Sequence, residues 1–115
     1  MTIELHTRRP FGAREENVDG WHVVRVTGDV DGHTGGMLPT LVMYAVRRGA
    51  QQVCLDLTAV ERLDRSGVEA VRRCSGAARF AGGELSVLEP EDPALASALE
   101  DAAVATRPRR PSRAR

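Results

Sequence analysis

Short β-rich runs alternate with stretches of helical spacing through most of this chain. That alternation restricts the fold to a sheet with parallel strands joined by helical crossovers. Trp21 to Thr27 reads WHVVRVT and stops at Gly28. Gln52 to Leu57 reads QVCLDL, which suits a central strand covered on both faces, and Glu84 to Leu88 reads ELSVL. Between the first two runs, Met37, Leu38, Leu41, Val42, Ala45 and Val46 form an apolar stripe at helical spacing. Thr34 is the expected cap of that helix and Pro39 falls in its first turn. Arg47, Arg48 and Gly49 end it, with cations where the helix dipole favours them.

A second helix is expected from Ser66 to about Phe80, with Val68, Val71, Cys74, Ala77 and Ala78 inward and Arg72, Arg73 and Arg79 outward; Gly82 and Gly83 stop it. Pro90 breaks the chain before a third helix capped by Asp92 with Pro93 at its first position, which carries Leu95, Ala98, Leu99 and Ala102 and fades near Thr106. At the other end, Thr2 to Thr7 alternates apolar and polar residues and reads as an edge strand. Arg8 to Gly20, with Pro10, Gly12, Asn17, Asp19 and Gly20, reads as a loop or wide turn. The expected order is strand, strand, helix, strand, helix, strand, helix. This is an α/β fold with a mixed sheet, parallel core strands and helices packed against it.

The 115 residues, 42% of them hydrophobic, suffice for one modest core and not for two. With 28% charged residues and no apolar run near the roughly 18 residues a membrane span requires, no span is expected. Met1 to Pro10 has no continuous apolar stretch and does not read as a signal peptide, so a cytoplasmic location is expected. Cys54 and Cys74 lack paired CxxC spacing and read as small buried hydrophobes rather than a disulfide or a metal site.

The formal net charge of 0 conceals a division. Arg107 to Arg115, RPRRPSRAR, holds five arginines, which leaves residues 1–106 at −5. The expected boundaries are a domain over 1–106 and a disordered, solubilising tail over 107–115, the alternative for the tail being a flexible arm that touches an acidic protein or nucleic acid. An acidic body argues against direct DNA binding by the domain itself.

Polar residues that strand and helix patterns leave unexplained gather in two loops: GDVDGHT, Gly28 to Thr34, and LDRSG, Leu63 to Gly67. Both are expected near the carboxyl ends of the parallel strands, where such sheets bind ligands and partners. Enzyme readings are weak here. Asp29, Asp31, His33, Asp64 and Ser66 offer the right groups for a Ser, His, Asp constellation without a GxSxG elbow. Asp29, Asp31 and His33 could be imagined as a metal site, but three ligands of alternating type in one loop are more often turn and capping residues. Gly32, Gly35 and Gly36 lack the lysine and spacing of a phosphate loop. No catalytic residue, metal or cofactor is therefore assigned. Ser66 with Glu69 three positions on reads as a capping box, which leaves open a second role for Ser66 at a partner surface.

The stretch TGDVDGHT, the run VCLDL followed by LTAVERLDRSGV, and the segment GGELSVLEP, taken together over about residues 20 to 105, resemble the STAS domain of anti-sigma-factor antagonists. The resemblance implies a bacterial, cytoplasmic partner-switching protein acting in transcription regulation. It binds an anti-sigma factor, a serine kinase of the ATPase-fold type, and is released when the kinase phosphorylates a hydroxyl at the mouth of the second helix. Carried onto this chain, Asp31 matches the aspartate that faces the kinase, although a turn role explains it equally well. Asp64 matches the aspartate before the phosphorylated residue, and Gly67 the glycine that lets the chain turn tightly into the helix. His33, Thr34, Arg65 and Ser66 complete the expected partner surface.

The family pattern at the helix mouth is Asp, Ser or Thr, Ser, Gly, with the first hydroxyl phosphorylated. Here it reads Asp64, Arg65, Ser66, Gly67, so an arginine holds the acceptor position, and Ser66 is the nearby hydroxyl. Arg62 likewise replaces a residue usually aromatic or aliphatic. Three further readings follow from that departure: a STAS subunit of a lipid-transport or other ATPase-containing complex, a scaffold without phosphorylation, and a small-molecule sensor.

Overall fold

The computed structural model describes residues 10–107. The strand expected over Thr2 to Thr7 and all but the first residue of the expected tail lie outside them. The described elements are β1 (Gly12–Val18), β2 (Trp21–Val30), α1 (Met37–Arg47), β3 (Gln52–Leu63), α2 (Arg65–Ala81), β4 (Glu84–Leu88) and α3 (Pro93–Asp101). Their order in the chain is the one read from the sequence, but the first strand is a different segment.

β1 lies inside the stretch read as a loop, and this corrects that reading. It pairs antiparallel with β2 in a register that sets Val18 opposite Trp21. Asp19 and Gly20 form the intervening two-residue turn at φ 50° and 87°. Positive φ at both turn residues matches the right-handed twist of the flanking strands, and Asp-Gly is a favoured pair for it. GAREENV shows no strand pattern because it buries neither face: all of it beyond Gly12 is exposed. The ladder to β2 and polar cross-strand pairs hold it instead. Glu16 accepts from Arg25 at 2.9 Å and Glu15 lies 2.7 Å from His22 Nε2.

β2, β3 and β4 are parallel, and the sheet order is β1-β2-β3-β4. β2 runs on past Gly28 to Val30, with register irregularities between Arg25 and Thr27 and between Gly28 and Asp29. β3 runs six residues beyond the expected end, because Val60 and Leu63 are still buried. α1 and α2 pack side by side on one face of the sheet, where Val24, Val26, Val53, Leu55 and Leu57 meet Leu38, Val42, Val68, Val71 and Cys74. Fully burying side chains of this size contributes about 1.5–3 kcal/mol each.

The helix ends follow local chemistry. Gly82, at φ 98°, caps α2 at its C-terminus, and Asp92 accepts from the Ala94 N–H at 2.9 Å, with Pro93 next. α3 ends at Asp101, short of Thr106, and buries Leu99. The chain then returns to the sheet. Arg107, assigned to the tail by its composition, donates its N–H to the Val87 carbonyl at 2.7 Å and accepts from the Glu89 N–H at 3.0 Å. Both cysteines are free. Burial pushes the Cys54 thiol up to about 11 and the Cys74 thiol up to about 12.

The sheet face away from α1 and α2 carries its own network. Asp56, 6% exposed, accepts from the Thr58 N–H at 2.9 Å and hydroxyl at 2.7 Å and from Arg25 Nε at 3.1 Å. Burial alone would raise its pKa, but the Thr58 hydrogen bonds and the Arg25 guanidinium outweigh it and hold the carboxyl below the usual range.

Candidate functional site

The two polar loops meet at the C-terminal edge of β2 and β3. The first is organised by Asp31. Its Oδ1 accepts from the N–H groups of His33 and Thr34, both at 2.9 Å, and lies 3.0 Å from the Thr34 hydroxyl. That hydroxyl also lies 3.3 Å from the Asp29 carbonyl and accepts from the Asp31 N–H at 3.1 Å. Asp31 and Thr34 thus brace each other across one tight turn, which the Gly35 N–H closes on the Asp31 carbonyl at 2.6 Å.

Thr34 is therefore not the cap of α1. The N-cap is Gly36, with no side-chain cap, and the Thr34 carbonyl instead accepts from the Met37 N–H at 3.2 Å. His33 and Gly32 are exposed at the tip of the turn, and Met37 is 52% exposed at the helix entrance.

The second loop ends in a different cap from the expected one. Asp64, in extended conformation, is the N-cap of α2 and accepts from the Gly67 N–H at 2.8 Å. Its carbonyl accepts from the Val68 N–H at 2.8 Å. Ser66 is the second residue of the helix, and the Glu69 carboxylate accepts from Arg72 Nε at 3.3 Å, so the Ser66–Glu69 capping box does not form. An aspartate two residues earlier supplies a charged acceptor to the same orphan N–H groups, and the helix starts there. Asp64, Arg65 and Ser66 are all exposed.

Glycines allow the loops to touch. A Cβ on Gly67 would overlap the carbonyl of Val30, at the end of β2, and Gly67 is buried. Its φ is not among the positive ones, so the residue is needed for a close approach rather than for the tight turn the family pattern implied. A Cβ on Gly32 would stand 3.0 Å from Ser66 Cβ and 3.2 Å from its hydroxyl. A Cβ on Gly35 would stand 2.7 Å from the Asp31 carbonyl and 2.9 Å from Ala70 Cβ. In the sequence Gly32 and Gly35 suggest nothing beyond a weak likeness to a phosphate loop. Their packing role depends on the parallel pairing that sets the ends of β2 and β3 side by side and on α1 packing against α2, and no local motif reports it.

The fold thus gathers Asp31, Thr34, Asp64, Ser66 and Gly67 into one edge, with His33 and Arg65 exposed on it. Asp31 and Asp64 spend carboxylate oxygens on backbone N–H groups. The outward chemistry is carried by His33, Arg65 and the Ser66 hydroxyl. Among the described residues, no group of three His, Cys, Asp or Glu side chains is placed to hold a metal ion, and no helix is long and apolar enough to cross a membrane.

A mixed four-stranded sheet with its parallel crossovers on one face and two glycine-packed loops at one edge defines the class: a small single α/β domain. A family model for the STAS domain matches residues 14–105, and the chain belongs to the STAS domain family. Among solved structures it is similar to the anti-sigma factor antagonist SpoIIAA in its unphosphorylated form, with 20% identity, a TM-score of 0.65, and 81% of this chain and 82% of that one covered. The Bacillus cell fate determinant SpoIIAA in the phosphorylated form is also 20% identical, with a TM-score of 0.61 and coverage of 81% and 85%. The antisigma-factor antagonist STAS domain from Rhodobacter sphaeroides is 21% identical, with a TM-score of 0.52 and coverage of 67% and 84%. At these identities the likeness is one of fold. No curated protein sequence gives a significant match.

Proposed function

We propose that this chain is a protein-binding module of the anti-sigma-factor-antagonist kind, docking through the edge formed by Asp31 to Thr34 and Asp64 to Gly67, and working without catalysis of its own. The observation that carries the reading is the contact between Gly32 and Ser66, because it makes two separate loops one exposed, shaped surface. The partner is an anti-sigma serine kinase of the ATPase-fold type, and the setting is bacterial partner switching in the cytoplasm. In this role Arg65 changes the regulation. A phosphorylated hydroxyl at this position would bring about −1.5 to −2 charges to the interface, whereas the guanidinium is fixed at +1, a swing of roughly 3 units. The off-switch is absent and the complex persists in ATP.

The test incubates the chain, beside an Arg65→Ser variant, with a purified anti-sigma kinase and ATP, then reads mass and affinity. The expected result is no phosphate on the natural chain, a phosphate on the variant, and release of the variant alone. Efficient phosphorylation of Ser66 in the natural chain would defeat the constitutive reading. Arg65 also favours a second reading, a STAS subunit of a transporter or other ATPase-containing complex that needs no phosphorylation. Co-purification with a transporter ATPase in place of a kinase would select it.

A further inference from the structure

α2 presents a stripe of guanidiniums. Arg65, Arg72 and Arg79 recur at seven-residue intervals, close to two helical turns, and so share one side of the helix, with Arg73 beside Arg72. All four are exposed. The acidic residue on this helix is Glu69, and Arg72 engages it at 3.3 Å. Arg65, Arg73 and Arg79 have no ion-pair partner among the described residues. A surface helix selected only for solubility mixes both signs. This one runs against the sign of its own domain, since residues 10–107 hold ten arginines against fifteen carboxylates.

Three further features lie on the same surface. A groove of about 700 Å³ crosses the helix, lined by Arg72, Arg73, Gly76 and Arg79 with Pro39 of α1 and Ala105, and no carboxylate lines it. Gly76 is exposed in the middle of α2, and a Cβ there would meet nothing within 4 Å. A glycine inside a helix costs about 1 kcal/mol relative to alanine, and nothing in this chain's packing asks for it. Phe80, at the far end of the helix, is 81% exposed.

We propose that this face of α2 is a docking surface for an acidic segment of a partner protein. Carboxylates would lie along the arginine stripe, the segment's backbone would close over Gly76, and an apolar side chain would cover Phe80. From Arg65 to Arg79 the stripe spans about 21 Å at about 1.5 Å per residue. The surface therefore begins at the loop edge and continues along the helix away from it. The inference rests on the docking reading above and adds the charge and shape of what docks. The same stripe on a basic domain would fit nucleic acid, but the acidic body here repels a long polyanion and tolerates a short one.

The test uses the full chain and fluorescence anisotropy with three labelled probes: an amphipathic peptide with Glu at its polar positions, its Gln counterpart, and a single-stranded DNA of matching charge. The Glu peptide is expected to bind. Its affinity should fall about tenfold in Arg72→Glu/Arg73→Glu/Arg79→Glu and fall steeply between about 0.05 and 0.3 M salt. Gly76→Gln should weaken the peptide while leaving the melting midpoint unchanged or higher, which keeps the test alive if the charge-reversed variant folds poorly. Equal binding of the Glu and Gln peptides overturns the proposal. So does tighter binding of the DNA, or binding that survives the α2 changes and is lost when Arg109, Arg110, Arg113 and Arg115 are changed to Gln. A kinase that binds the natural and triple-variant chains alike sinks this inference and leaves the docking reading standing. A probe result as expected, with no kinase bound, does the reverse.

Discussion

The loop edge and the opposite face of the sheet are both built around aspartates, but they hold the fold together in different ways. At the loop edge each aspartate carboxylate braces its own turn: Asp31 serves His33 and Thr34, and Asp64 serves Gly67, three residues away or fewer. The long-range contacts there are close backbone approaches: the Asp64 N–H donates to the Val30 carbonyl at 3.4 Å, Gly67 lets Val30 and α2 touch, and Gly32 meets Ser66. On the other face, Asp56 draws Arg25 from the neighbouring strand, and Arg25 in turn holds Glu16 on the strand beyond. That face is tied across strands by charge. A surface that must present side chains to a partner gains from local bracing and close backbone contact, because its outward groups stay uncommitted.

The largest expected effect tests the steric half of that contrast. Gly67→Ala places a Cβ on the Val30 carbonyl, and backbone cannot move aside cheaply, so a loss of about 3 kcal/mol or more is expected by chemical denaturation. A loss under about 1 kcal/mol would mean that the two loops are not locked together.

Asp56→Asn tests the charge half. It weakens a buried acceptor shared by Thr58 and Arg25 and should cost about 1–3 kcal/mol at neutral pH. Because the folded carboxyl sits below its ordinary value, its stabilisation is present above about pH 4 and is lost as pH falls through the lowered pKa. Denaturation from neutral to acid pH should therefore be less steep in the variant. An identical slope would remove Asp56 from the account.

Asp31→Ala removes the acceptor of several short-range bonds in a half-exposed turn. An intermediate cost of about 1–2 kcal/mol is expected, together with weaker partner binding. Full stability with lost binding would place Asp31 on the partner surface alone and erase its bracing role. Asp64→Ala is the mildest change, about 1 kcal/mol for the loss of an exposed N-cap, read as a small shift in midpoint with the fold intact. Asp64→Asn should recover most of it, since an amide oxygen also caps.

The helices and interior strands were legible in the sequence because their residues alternate between two environments. The stripe from Leu38 to Val46, the alternation in ELSVL, and the Asp92-Pro93 start each carry a period or a cap that needs no neighbour to be read. The candidate edge was legible as two unexplained polar loops, and the family likeness rested on the same residues. β1 was not legible, since GAREENV has no buried face and becomes a strand only because β2 offers it backbone hydrogen bonds, with Arg25 offering charge and His22 a side-chain hydrogen bond. The extension of β3 past Leu57 was hidden in a similar way, since it continues as a strand because β2 runs on to Val30 beside it.

Capping divided the two levels most sharply. The sequence by itself determined that a helix begins at about Ser66, with Ser66 read as its cap, although Asp64 beside it can also serve orphan N–H groups. The tertiary structure decided which one does: Val30 packs against Gly67 and fixes where the strand ends and the helix starts, so Asp64 takes the cap and Ser66 is left on the surface. Local chemistry determines what a residue can do, and the backbone of a distant strand, held within van der Waals reach of a glycine, selects among those possibilities.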